Sequence, residues 1–308
     1  MANPFGVPVG FGAGTSMTSV DQVREAARWA AQAGFASFWV SQIFGVDPIV
    51  ALAAIGSDVP ALGEVGTSVV PLAGRHPLAL AAQARTAQSA LGGRFTLGVG
   101  PSHALVSEGF FGEPYDRPFT RTREFLAALV PLLHGQNADV DGEVVRAHGW
   151  LTIDAAPCPV LLAALGPRML DLAGRVADGT TLSSCGPRTI AAHVAPVITA
   201  AAADAGRPRP RIQAMVEVAV TRDPAATHAA SVEAGRLYAT LPAYRRVLDL
   251  EGVGSGADLL LAGSIDRIVA GLGAYVEAGV TELRLCIGSS DRAVIGATRD
   301  ALGALLAG

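Results

Sequence analysis

The chain contains no lysine; all 23 of its basic residues are arginine. That absence removes whole classes of chemistry. There is no lysine Schiff base, no Walker-type phosphate lysine and no anchor for pyridoxal phosphate. Cysteine is scarce as well. Cys158, Cys185 and Cys286 are odd in number and far apart, with no CxxC pair. This excludes a disulfide framework and is the usage expected of a reducing cytoplasm. Charge is thin, at 16% of residues, with a net charge of −4 and no basic patch. A nucleic-acid partner is therefore not expected. No run of about 18 apolar residues occurs, so no membrane span is expected. Residues 1–14 lack a basic start and are broken by Pro4, Pro8 and several glycines, unlike a signal peptide. The six histidines are scattered, without HExxH or HxH, and the carboxylates do not cluster. No catalytic metal is expected. No GxSxG elbow is present.

Half of the 308 residues are apolar, enough for a large core and too many for disorder. Short apolar strands alternate with longer helical segments. Strands are expected at Val7–Gly12, Phe38–Val40, Val65–Val70, Phe95–Val99, Val160–Ala164, Thr180–Leu182, Ile212–Val220 and Glu282–Ile287. Helices are expected at Pro48–Ile55, Pro77–Leu91, Pro118–Leu133, Pro167–Val176, Thr189–Ala205, Pro224–Thr240 and Ala293–Leu306. A further helix follows Ser19, which reads as its N-cap with Gln22 reaching back; Gly34 ends it. Ser264 caps another, ended by Gly279. Eight strand–helix units close naturally into a (β/α)8 barrel, an α/β fold spanning residues 1–308 as one domain. Val160–Ala164 is apolar throughout, as a parallel strand buried on both faces should be. Gly135–Cys158 and Ala239–Ala262 exceed ordinary connections and read as lids or dimer contacts.

Barrel enzymes place their chemistry where strands end, at the C-terminal face. The segment Gly98-Val99-Gly100-Pro101-Ser102-His103 ends the fourth strand. Glycine admits close approach of a ligand to backbone, or else a tight turn. The stretch is not a dinucleotide fingerprint: its third glycine is missing, Pro101 breaks the turn, and no helix is expected to open at once. His103 reads as a proton-exchanging group at the mouth or as a surface loop histidine. Thr67 and Ser68 end another strand, where their hydroxyls face a ligand or merely a turn. Ala163-Ala164-Leu165-Gly166-Pro167-Arg168 joins a strand to a helix that opens with proline. Free N–H groups and the helix dipole make such a terminus an anion site. Arg75-His76-Pro77 reads chiefly as a helix start, with contact to an anionic tail as the alternative. Ser41-Gln42 ends the second strand. Trp150 and Phe110-Phe111 read as an apolar wall or as core.

Together these landmarks resemble the bacterial luciferase-like superfamily, in particular its deazaflavin-dependent oxidoreductases of actinobacteria. The resemblance runs from about Val7 to Leu285. It is carried by Gly34-Phe35 with Trp39, Gly66-Thr67-Ser68-Val69, Arg75-His76-Pro77, Gly93 to Gly100, Arg123-Glu124-Phe125-Leu126, Ala163 to Pro167 and Ala177-Asp178-Gly179-Thr180.

The resemblance implies a TIM barrel with insertions, a homodimer, and coenzyme F-420 or FMN at the mouth. It implies a non-prolyl cis peptide at Ser68–Val69 supporting the ring, and a phosphate loop from Ala163 to Arg168. It implies hydride transfer to or from a small-molecule substrate. With the residues read above, the expected cofactor contacts are Thr67, Ser68, Val69, Gly98, Gly100, Ser102, Ala163, Ala164, Gly166, Pro167 and Arg168; His103 and Gln42 are read as catalytic from their own placement, since the relatives' proton-donor assignments do not transfer. The chain also departs from the family. Many relatives carry an acid and a histidine where Ser41-Gln42 stands, and His103 lies nearest a glutamate of some sugar-phosphate dehydrogenases. An FMN monooxygenase with a partner reductase and a non-catalytic deazaflavin binder stay open as alternatives.

Overall fold

A computed structural model describes residues 3–14, 17–42, 44–236 and 238–307. Eight parallel strands close into a barrel. They are β1 (Val9–Ala13), β2 (Ser37–Val40), β3 (Glu64–Thr67), β4 (Phe95–Gly100), β5 (Val160–Leu162), β6 (Gly179–Leu182), β7 (Arg211–Val220) and β8 (Glu282–Ile287). β8 pairs with β1 on one side and β7 on the other, which seals the ring. All eight expected strands are present. β2, β4, β5 and β6 are buried along their whole length, so their apolar runs are the signature of two covered faces.

Helices pack around the ring, and Pro48, Pro77, Pro118, Pro167, Pro224 and Pro242 each open one. Proline suits that position because its fixed φ is helical and the missing N–H had no partner there. Pro48–Ile55, Pro118–Leu133 and Pro167–Val176 match the expected helices at both ends. Gly34 and Gly279 follow helix ends with φ of +86° and +101°, a conformation that favours glycine.

Several expectations need correction. β3 stops at Thr67, the Ser68–Val69 peptide is cis, and the chain resumes at Val70–Pro71 beside β4. Gln22 does reach back, but to the Thr18 N–H at 2.8 Å rather than to that of Ser19. A short helix, Ala104–Gly109, opens directly after His103, where none was expected. The segment Gly135–Cys158 holds an antiparallel hairpin, Ala138–Asp141 with Arg146–Gly149. The helix expected at Thr189–Ala205 begins at Pro187 and contains a π turn at Ile190–Val194. Pro196 has no N–H to donate, and the helical ladder widens just before it. The Pro224 helix ends at Gly235. Beyond it lie a helix at Pro242–Glu251 and a short strand, Leu261–Gly263, paired to the end of β7.

The barrel interior is filled in layers. At its N-terminal floor Arg211 pairs with Glu282 and Glu64, and Thr96 donates to Glu64. Gln213 joins Thr181 to Glu282. Above the floor Trp39 is fully buried and donates to Ser37 at 2.8 Å. A Cβ on Gly66 would lie 2.3 Å from its ring, and one on Gly10 would lie 2.3 Å from the Ser37 hydroxyl and 3.0 Å from the indole; the two glycines leave room for this hydrogen-bonded pair. Among the described residues no helix is long and apolar enough to cross a membrane.

Candidate active site

The C-terminal mouth is built from the ends of β2, β3, β4, β5 and β8 and from the segment after the Pro224 helix. At its centre lies the cis peptide. Ser41 donates to the Ser68 carbonyl at 2.5 Å, and the Gln42 N–H donates to the Val69 carbonyl at 3.1 Å. Arg284, rising from β8, donates to the Ser68 carbonyl at 3.1 Å and to its hydroxyl. The peptide is thus held from several directions and forms a fixed shelf.

Thr67 stands behind that shelf rather than in it. It is fully buried. Its hydroxyl donates to the Gly98 carbonyl at 2.8 Å and accepts from the Gly98 N–H at 2.9 Å. The two glycines of the fourth strand also acquire a different reason. A Cβ on Gly98 would lie 2.0 Å from the Thr67 carbonyl oxygen. On Gly100 it would lie 3.1 Å from Val69 and 3.2 Å from Ala163. Both glycines first make room for the neighbouring strands.

Gln42 does not stand free. Arg75 donates to its side-chain carbonyl at 2.7 Å and to Asp47 at 3.0 Å. Arg75 therefore orients Gln42 instead of awaiting an anionic tail. His76 caps the following helix, its Nδ1 accepting from the Leu78 N–H at 3.3 Å; the helix-start reading of Arg75-His76-Pro77 holds.

Ser102 adopts φ +65°, and its carbonyl accepts from the Tyr115 hydroxyl at 2.8 Å. His103 follows as the N-cap of the short helix, without a side-chain cap bond. Its ring lies 5.6 Å from that of Tyr244 and 6.1 Å from that of Tyr238. The two tyrosines pack edge to face at 5.6 Å. Burial holds the imidazole below its ordinary pKa and pushes Tyr244 up to about 12. His103 is therefore a neutral imidazole under an aromatic cover.

At the end of β5 the Ala163 N–H donates to the Val99 carbonyl at 2.8 Å, and Ala164 is buried. Gly166 caps the Pro167–Val176 helix with no side-chain bond. A Cβ there would meet nothing within 4 Å, so the helix N-terminus faces open space. Arg168 is exposed and lies over the Phe119 ring at 4.1 Å. Phe110, Phe111 and Trp150 are exposed and belong to no core.

The sequence reading missed Tyr115, Tyr238, Arg284 and Glu217. Glu217 shares the inner face with Cys286 by strand register, and burial pushes its carboxyl up. The tyrosines sat in segments without periodicity. Arg284 interrupts the apolar run Leu283–Ile287 of β8, and that interruption was the available signal.

The family model of luciferase-like monooxygenases matches residues 4–282. The 5,10-methylenetetrahydromethanopterin reductase of Methanolobus tindarius is 29% identical over 183 residues, 59% of this chain and 55% of that protein. The F420-dependent glucose-6-phosphate dehydrogenase of Beutenbergia cavernae is 32% identical over 227 residues, 69% of this chain and 67% of that protein. Most of the curated relatives it matches are spanned over about half their length. An F420-dependent secondary alcohol dehydrogenase, solved with an F420–acetone adduct, shares the fold at a TM-score of 0.82 and 18% identity, covering 97% of this chain and 98% of that one.

Proposed function

The chain belongs to the luciferase-like monooxygenase family, and from that premise we propose that it is a coenzyme F-420-dependent oxidoreductase. It passes a hydride between the deazaflavin and a small organic substrate at the C-terminal mouth. The observation that carries this reading is the conjunction of two features. The Ser68–Val69 shelf is held by Ser41, Gln42 and Arg284, and the Gly166 helix terminus opens onto free space. Relatives named as F420-dependent enzymes support it.

In this reading the backbone of Ser68–Val69 supports the ring, and Gly98 and Gly100 let that backbone sit close to β4. The first turn after Gly166 holds the phosphate, since its N–H groups and dipole favour an anion; Arg168 adds charge. Pro167 sets the turn, and Ala163 and Ala164 bring it to the mouth. Bound there, the deazaflavin supplies hydride transfer. His103, neutral and half-buried, exchanges the proton that accompanies the hydride at the substrate oxygen or nitrogen. Gln42, fixed by Arg75, and Ser102 polarise the groups beside it. Tyr238 and Tyr244 exclude water from His103. The exposed Phe44 and Phe110 rings, 4.7 Å apart, give an apolar surface that supports the homodimer implied by the resemblance.

Titrating the protein separately with coenzyme F-420 and with FMN, followed by fluorescence, tests the cofactor. Binding of the deazaflavin is expected. Micromolar FMN binding without it would overturn the reading and favour a monooxygenase supplied by a reductase. Turnover is then read with a panel of enones, imines and alcohols.

A further inference from the structure

Arg284 is the least compensated charge among the buried arginines. It is 3% exposed; among the described residues its Nε, like those of Arg85 and Arg299, has no hydrogen-bond partner, and no carboxylate pairs with it. The contrast with other arginines is direct. Arg211 meets two glutamates. Arg94 donates to four backbone carbonyls, and Arg85 to three. Among the described residues Arg284 has only the carbonyl and hydroxyl of Ser68.

Among the described residues none of its neighbours forms an ion pair with it. Cys286, on the same inner face of β8, is held neutral because burial pushes the thiol up to about 11. Tyr244, from the Pro242–Glu251 helix, is a neutral phenol at about 12. Glu217, on β7, stands in register with Cys286, whereas Met215 is the residue in register with Arg284, and burial raises the Glu217 carboxyl pKa. Gly12, on β1, offers no side chain; a Cβ there would lie 3.3 Å from Arg284. A buried cation without a partner is strongly unfavourable. A site that keeps one is complete only when a ligand brings the opposite charge.

We propose that Arg284 is the anion anchor of the mouth. It holds an ionised heteroatom of the ligand resting on the Ser68–Val69 shelf and makes the site select anionic over neutral groups. The inference rests on the mouth being the cofactor site. The anion comes from the ionisable ring of the cofactor or from an acidic substrate placed against it. The chemistry at Arg284 is the same, and it makes Arg284 a specificity-determining residue.

The test uses the full chain saturated with oxidised coenzyme F-420. The ring's absorbance is followed against pH, free and bound, for wild type, R284Q and R284K. The bound ring is expected to ionise about one to three pH units below the free ring. R284Q abolishes that shift and R284K keeps most of it, which a merely structural role would not produce. A second arm compares binding of a small carboxylate and its amide to the loaded protein. Preference for the carboxylate, lost in R284Q, assigns the anion to the substrate and still supports the anchor. An unshifted ring together with no carboxylate preference overturns it. That outcome is readable on wild type alone should R284Q fail to fold. Failure of the cofactor reading is distinguishable, because wild type then binds no deazaflavin, and the same ring titration is run with FMN.

Discussion

His103 illustrates how placement decides chemistry for a single residue. A histidine on an open loop titrates near its ordinary value and exchanges protons with bulk water. Here the ring is half-buried beneath Tyr238 and Tyr244, and desolvation disfavours the imidazolium. The sign of the consequence is fixed. Above its ordinary pKa of 6.5 the ring is neutral in folded and unfolded chains alike. As pH falls below that value the unfolded chain takes the proton first, so the folded state loses stability over that window. Function follows the same direction, with the neutral base retained at neutral pH. Replacing His103 by alanine is expected to lower kcat about 10²- to 10⁴-fold, the usual size of an acid–base contribution. Cofactor affinity stays near wild type, because the shelf does not use the imidazole. The acid limb of the kcat profile should vanish in the residual activity. Wild-type kcat in the variant would remove His103 from the mechanism.

At the scale of the element, the junction of β3 and β4 does the positioning. Its parts were legible in the sequence as types but not as contacts. Apolar runs such as Val160-Leu161-Leu162 mark two-faced burial, so the barrel is readable from them. Proline at helix starts made those boundaries sharp. The hairpin of Ala138–Asp141 and Arg146–Gly149 was not read, because its alternation spans only four residues in each strand and rests on small side chains, too short a stretch to set against a loop. The partners of Arg284 and Tyr244 were not readable either, since Ser68 and His103 lie 216 and 141 positions away in the chain. Gly98 was read for its closeness to a ligand, whereas the close approach is to the Thr67 carbonyl. Gly98→Ala tests that reading. The methyl would meet a backbone oxygen at 2.0 Å, which no rotamer relieves. A destabilisation of about 1–3 kcal/mol is expected, read from the urea midpoint, together with weakened cofactor binding as β3 and β4 part. Stability and binding both at wild-type values would show that the junction is looser than this packing.

Across the whole molecule the two ends of the barrel carry opposite electrostatic designs. The floor is closed: Arg211 on β7 reaches Glu282 on the adjacent strand and Glu64 across the barrel on β3. The two carboxylates there share the one guanidinium, and they raise its pKa despite burial. The mouth is open in the same sense, with a buried cation that no carboxylate among the described residues pairs with. A barrel whose ring is tied at one end can keep an incomplete site at the other, because strand positions at the mouth are inherited from the floor. Arg211→Met isolates that tie. It leaves Glu64 and Glu282 on the barrel floor without their shared cation, so like charges meet in a partly buried space. The expected cost is roughly 2 kcal/mol, between the worth of an exposed pair and the loss on breaking a buried one. Its pH dependence separates charge from packing. The uncompensated carboxylates take up protons more readily than in wild type, so the deficit should shrink as pH falls through the carboxylate range. Chemical denaturation at neutral and at mildly acidic pH reads this directly. A deficit of constant size at both would mean that Arg211 serves by volume alone, and the mouth would then owe its geometry to packing around Trp39.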